Sequence, residues 1–363
     1  MTIALPSART LRFKLLPRLD AVEITLWGLR VTVILVVVAG TIGSLIKERY
    51  TAAQWFDLVM FGLTIGSIYA QIALGYTMVY GVLRMINFAH GEIVMSGAFA
   101  GYFVATALDR SGFLAASPVP AMMAIVAVAI LTSASLALLA ERIAYRPFRH
   151  SGGLAPLICA FGVSFFLQQS FRGMFGTAVK SYPDPGWQRA AFHAYGFTLP
   201  HLDILVIALA LFFMLVLYLI VQRTRMGTAM RAVAEDREAA ALMGINIDKV
   251  VVFTFALGGA MAGIAGVCYS MVYKQVYFFM GFTPGLKAFG AAVLGGIGSI
   301  PGAMLGGFFL GMVESVGPSL FLDGLGIPAP YQLRDLIAFT LLIMVLIFRP
   351  QGIFGERMAK QRA

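Results

Sequence analysis

The stretch that decides the fold is GLKAFGAAVLGGIGSIPGAMLGGFFLG, residues 285–311, in which glycine is the most frequent residue. A helix over residues 287–298 would reach about 18 Å at 1.5 Å per residue, which is too short to cross a bilayer comfortably. Glycine-rich, interrupted helices are typical of the close-packed interior of membrane bundles. We therefore predict a hairpin over residues 287–316, made of two short helices that are broken at Gly298–Gly302.

The remainder of the chain is also strongly apolar. Of its 363 residues, 60% are hydrophobic and 12% are charged, and a soluble domain cannot bury that much apolar surface. The sequence thus predicts an all-α integral membrane protein, a polytopic bundle of about 8–10 transmembrane helices that includes the broken glycine-rich hairpin. Besides the hairpin, apolar stretches that approach or reach the length of a membrane span occur at residues 24–46, 56–80, 92–108, 121–140, 154–172, 202–221, 250–273 and 333–348.

The basic residues predict how the chain is oriented. The formal net charge of +10 arises from short loops, a distribution that the positive-inside rule explains better than nucleic-acid binding. With a cytoplasmic N-terminus and the hairpin, 17 Lys and Arg residues lie inside and nine outside, whereas a single long helix would give 14 against 12. We expect a cytoplasmic N-terminus (1–23), one membrane domain (24–348) and a cytoplasmic tail (349–363), with the hairpin turn at Ser299–Pro301 facing the cytoplasm.

Residues suited to covalent chemistry or metal binding form no motif. The four histidines, at 90, 150, 193 and 201, have no metal-ligand spacing. The segment GFTPGLK, residues 281–287, lacks the spacing of a phosphate-binding loop, and no Ser/His/Asp arrangement stands out. Cys159 and Cys268 lie inside apolar stretches, which favours free thiols. We predict no catalytic residue, no bound metal and no cofactor.

Polar residues inside or beside the apolar stretches are candidates for a transport path. NFAHGE brings together Asn87, His90 and Glu92, which mark either a helix start with Glu92 at its positive end or a part of the moving machinery. Lys287 opens the first half of the hairpin, and Glu314 lies near the end of the second. We interpret both as residues near the outer interface that extend their charges to water, with a functional charge in the membrane as the alternative.

One charged segment, EDREAAALMGI at residues 235–245, interrupts the apolar sequence. Its alanines, with Leu242 and Met243, favour a helix, and Gly244 favours the end of that helix. Leu242 and Met243 offer an apolar contact, and the neighbouring charges form a rim around it. The segment is therefore either a docking helix for a cytoplasmic partner or a helix that lies on the lipid surface, although the latter favours more lysine.

Four segments resemble a known family of membrane permeases. They are LTIGSIYAQIALGYTMVYGVLRMINFAHGEIVMSGAF, ERIAYRPFR, GTAMRAVAEDREAAALMGINIDKV and the glycine-rich stretch quoted above, and FRPQGIFG at 348–355 matches the end of the same family. All are similar to the permease of branched-chain amino acid ABC importers. The resemblance covers residues from about 55 to 355, and the apolar stretch at 24–46 extends beyond the short form of that family.

The resemblance implies partners and a location. Such a permease pairs with a second, homologous permease in the bacterial inner membrane. Two cytoplasmic ATP-binding subunits drive transport, and a periplasmic binding protein delivers the substrate. The chain itself is then a transport subunit and not an enzyme, in keeping with its lack of a phosphate-binding loop.

The resemblance also implies roles for two groups of residues. Residues 222–249, here named the coupling loop, resemble the loop that contacts the ATPase in such importers, and its coupling residues are Glu235, Asp236, Arg237, Glu238, Ala239, Ala240, Leu242, Met243 and Gly244. The translocation path is expected near the hairpin, where half-helix ends can present backbone groups to a zwitterion. Its candidates are Lys287, Gly295, Gly296, Gly298 and Ser299, together with Asn87, His90 and Glu92.

The sequence is also compatible with two other transport functions. Importers of urea or short amides have closely similar permeases. An ion-coupled secondary transporter is a different class, but it needs acidic residues inside the membrane, and Asp57, Glu92 and Glu314 all lie near the ends of apolar stretches.

Overall fold

Helices dominate the computed structural model, which describes residues 21–149, 154–194, 196–349 and 352. The predicted N-terminal segment 1–23 falls largely outside these residues, as does the tail apart from Arg349 and Gly352. Fourteen α-helices are described: α1 Ala21–Lys47, α2 Ala52–Leu83, α3 His90–Arg110, α4 Phe113–Ala116, α5 Pro118–Ala140, α6 Ala155–Phe175, α7 Gly186–Arg189, α8 His201–Arg223, α9 Arg225–Glu235, α10 Arg237–Leu242, α11 Ile247–Tyr273, α12 Phe282–Gly295, α13 Ile300–Gly317 and α14 Arg334–Phe348. Single π-helical turns continue α5 over Glu141–Tyr145 and α13 over Pro318–Leu322.

Eight of the described helical segments are long and apolar enough to cross a membrane. They contain α1, α2, α3, α5, α8, α11, α13 and α14. The stretch predicted at 154–172 does form a helix, α6, but it is not among these eight, and Gln168, Gln169 and Arg172 lower its hydropathy. With 14 residues, α12 is too short to span alone. The all-α membrane bundle predicted from the sequence is confirmed.

Four short strands accompany the helices. The strands β1 (Lys180–Ser181) and β4 (Gln275–Val276) pair antiparallel, as do β2 (Ala191–Ala194) and β3 (Phe197–Pro200). Each has two to four residues and lies in a connection between membrane helices. Strands this short leave no alternating pattern in the sequence, so the all-α prediction did not include them.

The glycine-rich hairpin is present, with α12 and α13 antiparallel and in backbone contact. A methyl group on Gly295 would lie 1.9 Å from the carbonyl oxygen of Gly302, and one on Gly306 would lie 2.1 Å from that of Ala291. The chain reverses through Gly296–Ser299, two residues earlier than predicted, and the Ser299 hydroxyl accepts a hydrogen bond from the Gly302 amide at 3.2 Å. Gly298, with φ +100°, provides the left-handed conformation that this turn requires.

The interior of the bundle is formed by α2 and α11, which are buried along most of their length. Glycines again permit close approach. A methyl group on Gly307 of α13 would lie 2.4 Å from the Ala70 backbone of α2, and one on Gly266 of α11 would lie 2.2 Å from the carbonyl oxygen of Val94 of α3. Small residues at such crossings let the backbones of two helices approach closely. Close packing of this kind holds helices together in a membrane, where the hydrophobic effect does not drive their association.

The connections gather at two ends of the bundle. At one end, the Arg84 guanidinium donates to the carbonyl of Ala234 at 2.6 Å, and Gly352 lies against the backbone of Gly296. At the opposite end, Lys47 donates to the carbonyl of Gly324 at 2.7 Å, and β1 pairs with β4. The hairpin turn, the coupling loop and the residue after α14 therefore share one end, as the charge distribution predicts.

The first helix packs along the edge of this bundle. A methyl group on Gly40 would lie 2.0 Å from the carbonyl oxygen of Phe321, and the Ser44 hydroxyl donates to the carbonyl of Ser319 at 3.0 Å. Further toward its N-terminus, the Arg30 guanidinium lies 3.6 Å from the centre of the Phe348 ring. Most other side chains of α1 are exposed, which places an apolar surface where lipid would be.

Candidate functional site

The coupling loop holds two short helices joined at Asp236. The side chain of Asp236 accepts hydrogen bonds from the amides of Glu238 and Ala239, both at 2.9 Å, and so caps α10. The same residue ends α9 in an extended conformation, φ −144° and ψ 112°. The sequence predicted a helix around Glu235–Gly244, and α10 is that helix, although it begins only at Arg237 because an aspartate side chain that binds backbone amides competes with a helix that would continue through it.

The C-terminal end of α10 is a tight turn at Gly244, whose φ is +82°. The Gly244 amide donates to the carbonyl of Ala241 at 3.0 Å, and the Ile245 amide to that of Ala240 at 3.1 Å. A glycine in this conformation satisfies the last carbonyls of a helix without steric cost. The predicted helix end at Gly244 is confirmed.

An exposed apolar pair projects from this turn. Leu242 is 90% exposed and Met243 is 83% exposed, whereas Ala240 on the inner face is buried. Glu235 and Glu238, in the same loop, are also exposed. Two large apolar side chains this open to solvent, with acidic groups next to them, form a small surface suited to contact with another protein.

The preceding helix attaches the coupling loop to the bundle. Met230 and Val233 on α9 are buried, and the Arg231 guanidinium donates to the carbonyl of Val221 at the end of α8 at 3.0 Å. With the bond from Arg84, which follows α2, these contacts fix α9 against two membrane helices. Hydrogen bonds therefore hold α9 to the ends of both α2 and α8.

The polar residues of NFAHGE are buried at the same end of the bundle. The Asn87 side-chain oxygen accepts a hydrogen bond from the Tyr145 hydroxyl at 2.6 Å, and the His90 ring lies edge-on to Tyr76 at 4.7 Å. Glu92, in the first turn of α3, lies 3.4 Å from the side chains of Ser164 and Gln168 on α6. The helix start predicted for Glu92 is confirmed, and its carboxylate also connects α3 to α6.

Lys287 and Glu314 form a buried ion pair, with the lysine amine 2.7 Å from the glutamate carboxylate. Their side chains are 3% and 5% exposed, so the interpretation that they extend to water is wrong. The reason lies in the start of α12 at Phe282, which puts Lys287 in the second helical turn and inside the packed region. Burial of either charge alone would be costly, and the pairing compensates for it.

Three further residues complete this charged group, and sequence reasoning missed all of them. Asp335 accepts from the Lys287 amine at 2.7 Å, Arg334 approaches the Glu314 carboxylate at 3.7 Å, and the Tyr69 hydroxyl donates to Glu314 at 2.9 Å. Asp335 and Arg334 are adjacent charges at the start of an apolar stretch, and such a pair is typical of an ordinary helix end. Only the packing of α14 beside α12 and α13 reveals their role.

The predicted path residues therefore fall into three separate places. Gly295, Gly296, Gly298 and Ser299 form the hairpin turn, and Asn87, His90 and Glu92 lie at the start of α3. Lys287 is eight residues before Gly295 on α12, about 12 Å along the helix axis. Across the parts of the chain that the structure describes, no group of three or more His, Cys, Asp or Glu side chains is arranged to hold a metal ion.

Comparison with known proteins gives the family. The family model described as "Branched-chain amino acid transport system / permease component" matches residues 58–346, from α2 to near the end of α14. The permease protein BraD of the Pseudomonas aeruginosa high-affinity branched-chain amino acid transport system is 43% identical over 307 residues, which are 84% of this chain and 96% of that protein. LivH of Escherichia coli, named for the same kind of system, is 40% identical over 310 residues, 85% of this chain and 96% of LivH.

A more distant relative comes from an archaeon. The probable branched-chain amino acid transport permease protein LivH of Methanocaldococcus jannaschii is 26% identical over 287 residues, covering 78% of this chain and 87% of that protein. The family model begins after α1, so the coupling loop, the hairpin and the charged group all lie inside the matched region. The resemblance inferred from the sequence motifs is confirmed: this chain belongs to the family of permease components of the branched-chain amino acid transport system.

Proposed function

We propose that this chain is the membrane-spanning permease subunit of an ATP-driven importer and forms part of the path for branched-chain amino acids. The observation that carries the proposal is the match to relatives with this named activity across nearly their whole length. The matched range includes both the buried hairpin and the exposed coupling loop.

The coupling loop supports a partnership with ATP-hydrolysing subunits. The exposed Leu242 and Met243 provide an apolar contact, and Glu235 and Glu238 provide charges beside it. The coupling residues are those from Glu235 to Ala240 and from Leu242 to Gly244. Because α9 is fixed to α2 and α8, a movement of the ATPase at this contact reaches the membrane helices as a rigid-body displacement.

The assembly follows from this role. A second homologous permease would complete the path, and a periplasmic binding protein would deliver the substrate at the end that carries β2 and β3. The end with the coupling loop and the hairpin turn would face the cytoplasm, together with both termini, in the bacterial inner membrane. The split of basic residues, 17 inside and nine outside, supports this orientation.

The hairpin is the part of the bundle where we place the translocation path. Gly295, Gly296, Gly298 and Ser299 join two half-helices in backbone contact, and interrupted helices of this kind border the substrate in many transporters. The buried Lys287 contributes a charge to the same hairpin.

Reconstitution tests the proposal. The permease, its homologous partner and the ATPases are placed in liposomes with the binding protein on one side and ATP on the other, and uptake of radiolabelled leucine is measured. We expect uptake that requires ATP, that stops when the P-loop lysine of the ATPases is replaced, and that persists when the proton gradient is collapsed. Uptake that continues without ATP and stops with the proton gradient would identify an ion-coupled transporter instead. Uptake of urea without leucine would assign a different substrate.

A further inference from the structure

A compact set of charges lies where the hairpin meets α14, on the half of the bundle away from the coupling loop. We name it the charge cluster: Lys287 on α12, Glu314 on α13, and Arg334 and Asp335 on α14, with the Tyr69 hydroxyl of α2 beside them. Three helices thus place two cations and two anions in contact, and a fourth adds a hydroxyl group. Charges inside a membrane bundle are costly and usually functional.

The cluster is closed on itself in this structure. The Lys287 amine lies 2.7 Å from both Glu314 and Asp335, and the Arg334 guanidinium lies 3.7 Å from the same two carboxylates. Each cation thus contacts both anions, and Tyr69 satisfies the second oxygen of Glu314 at 2.9 Å. The four charges sum to zero, so the cluster is neutral as a unit.

One side of the cluster can be reached from outside the chain. The side chains of Lys287 and Glu314 are 3% and 5% exposed, but those of Arg334 and Asp335 are 41% and 49% exposed. Among the residues of α14, Ala338 alone is buried, whereas α12 buries ten residues and α13 another ten. The accessible half of the cluster therefore lies on the least embedded of these three helices.

The charges match the head group of an amino acid. An α-ammonium group would pair with the Glu314 and Asp335 carboxylates, which the Lys287 amine contacts here. An α-carboxylate would pair with the Lys287 and Arg334 cations, and arginine in particular favours a planar carboxylate. A zwitterion adds one charge of each sign, so its entry leaves no group in the cluster without a counter-charge.

We propose that the charge cluster is a binding site for the ammonium and carboxylate groups of a zwitterionic amino acid, seen here closed by its own ion pairs. This inference rests on the proposed function. It identifies the residues of the membrane domain that recognise the charged head group of the substrate. A ligand with an ammonium or a carboxylate alone binds poorly, because it leaves one buried charge unpaired. The side chain of the ligand contributes separately, through apolar contacts.

Equilibrium binding of radiolabelled leucine to the purified complex, without the binding protein, tests the site. We expect unlabelled valine or isoleucine to displace the labelled leucine. At the same concentration, 3-methylbutylamine and 4-methylpentanoate should not displace it, because each lacks one of the two charged groups. Glu314→Gln and Asp335→Asn should each reduce affinity by at least tenfold. Asp184→Asn is the matched control, since Asp184 is an ion-paired acid at the same end of the bundle but outside the cluster, and its affinity should equal that of the parent.

The outcomes separate the two proposals. If the parent transports leucine in liposomes but Asp335→Asn binds it as tightly as the parent does, the site is wrong and the proposed function stands. The site is equally wrong if the amine or the acid displaces leucine as well as valine does. A parent that neither transports nor binds leucine overturns the proposed function itself. Because Asp335 is half exposed, its variant decides the question even if Glu314→Gln fails to assemble.

Discussion

Asp236 has two structural effects at the residue scale, because it ends one helix and begins the next. Its carboxylate holds two amides of α10 and thereby sets the direction in which Leu242 and Met243 project. The cap at Asp236 and the turn at Gly244 thus bound the short helix that carries the exposed pair.

Replacement of that side chain gives a direct prediction. Asp236→Ala removes the helix cap, which costs about 1 kcal/mol locally, whereas Asp236→Asn keeps a capping oxygen. We expect the alanine variant to insert and assemble but to lose most of its binding-protein-stimulated ATP hydrolysis in liposomes, while the asparagine variant resembles the parent. Equal stimulation in both variants would show that the cap has no part in coupling.

Asp184 gives a prediction about pH at the opposite end of the bundle. Burial raises the pKa of this carboxyl, but hydrogen bonds and charge interactions with Lys274 and Arg189 outweigh burial, so the pKa lies below its ordinary value. Because the pKa is lowered in the folded state, the ionised carboxylate stabilises that state at pH values above the ordinary aspartate pKa, which is near 4. The stabilisation is lost as the pH falls through the lowered pKa. Thermal unfolding should therefore separate the parent from Asp184→Asn at pH 7, and the difference should shrink steadily below about pH 4. A constant difference would contradict the assignment.

Individual residues also show how far sequence reasoning reached. The turn at Gly244 was predictable because glycine after a helix-forming run acts through local backbone geometry. The charge cluster was not, because Lys287 and Asp335 are 48 residues apart and become partners through the packing of α14. Local conformation depends on residues that are neighbours in the sequence, whereas the partner of a buried charge depends on tertiary contacts.

At the scale of elements, the hairpin depends on contact between backbones. The carbonyl oxygen of Gly302 occupies the space that a Gly295 methyl group would need, and the Ala291 carbonyl does the same for Gly306. The sequence predicted this hairpin from glycine content and from the short reach of its first half. The exact turn was displaced by two residues, since the first glycines of the break, Gly295 and Gly296, end α12 before the predicted Gly298.

A single methyl group tests that contact. Gly295→Ala must force the two helices apart and should lower the stability of the complex by about 1–3 kcal/mol, as overpacking does in protein cores. Gly162→Ala on α6 is the matched control, because no atom lies within 4 Å of the space its methyl group would fill. Thermal unfolding in detergent and leucine uptake should both decline for Gly295→Ala and remain unchanged for Gly162→Ala. Equal behaviour of the two variants would show that the hairpin tolerates separation.

At the scale of the whole molecule, the predicted orientation divides the described connections between two faces. The hairpin turn, the coupling loop and Gly352 share one end, and β2 with β3 belongs to the other. The relative arrangement was predictable because positively charged loops alternate along the chain. It could not be read from any single loop, since Arg84 is the one basic residue between α2 and α3.

Labelling of introduced cysteines tests the orientation. A cysteine at Ser299 and one at Glu238 should react with an impermeant maleimide from the cytoplasmic side, and a cysteine at Phe192, which is 60% exposed on β2, from the periplasmic side. Gln361 lies outside the described residues and should react like Ser299. A parent in which Cys159 and Cys268 are replaced by serine supplies the background. Opposite-side labelling of Ser299 and Glu238 would contradict the topology.

The balance of charges in the charge cluster has an electrical consequence. Two cations and two anions carry no net charge, and an amino-acid zwitterion adds none, so passage of the substrate through this site moves no net charge across the bilayer. The membrane potential contributes about 2.3 kcal/mol per elementary charge per 100 mV, and here the charge moved by the substrate is zero. Leucine uptake into liposomes should therefore proceed at the same rate whether a potassium diffusion potential of either sign is imposed or not. A substrate step of this kind is electroneutral, and a cell whose membrane is depolarised would continue to import amino acids for as long as it has ATP.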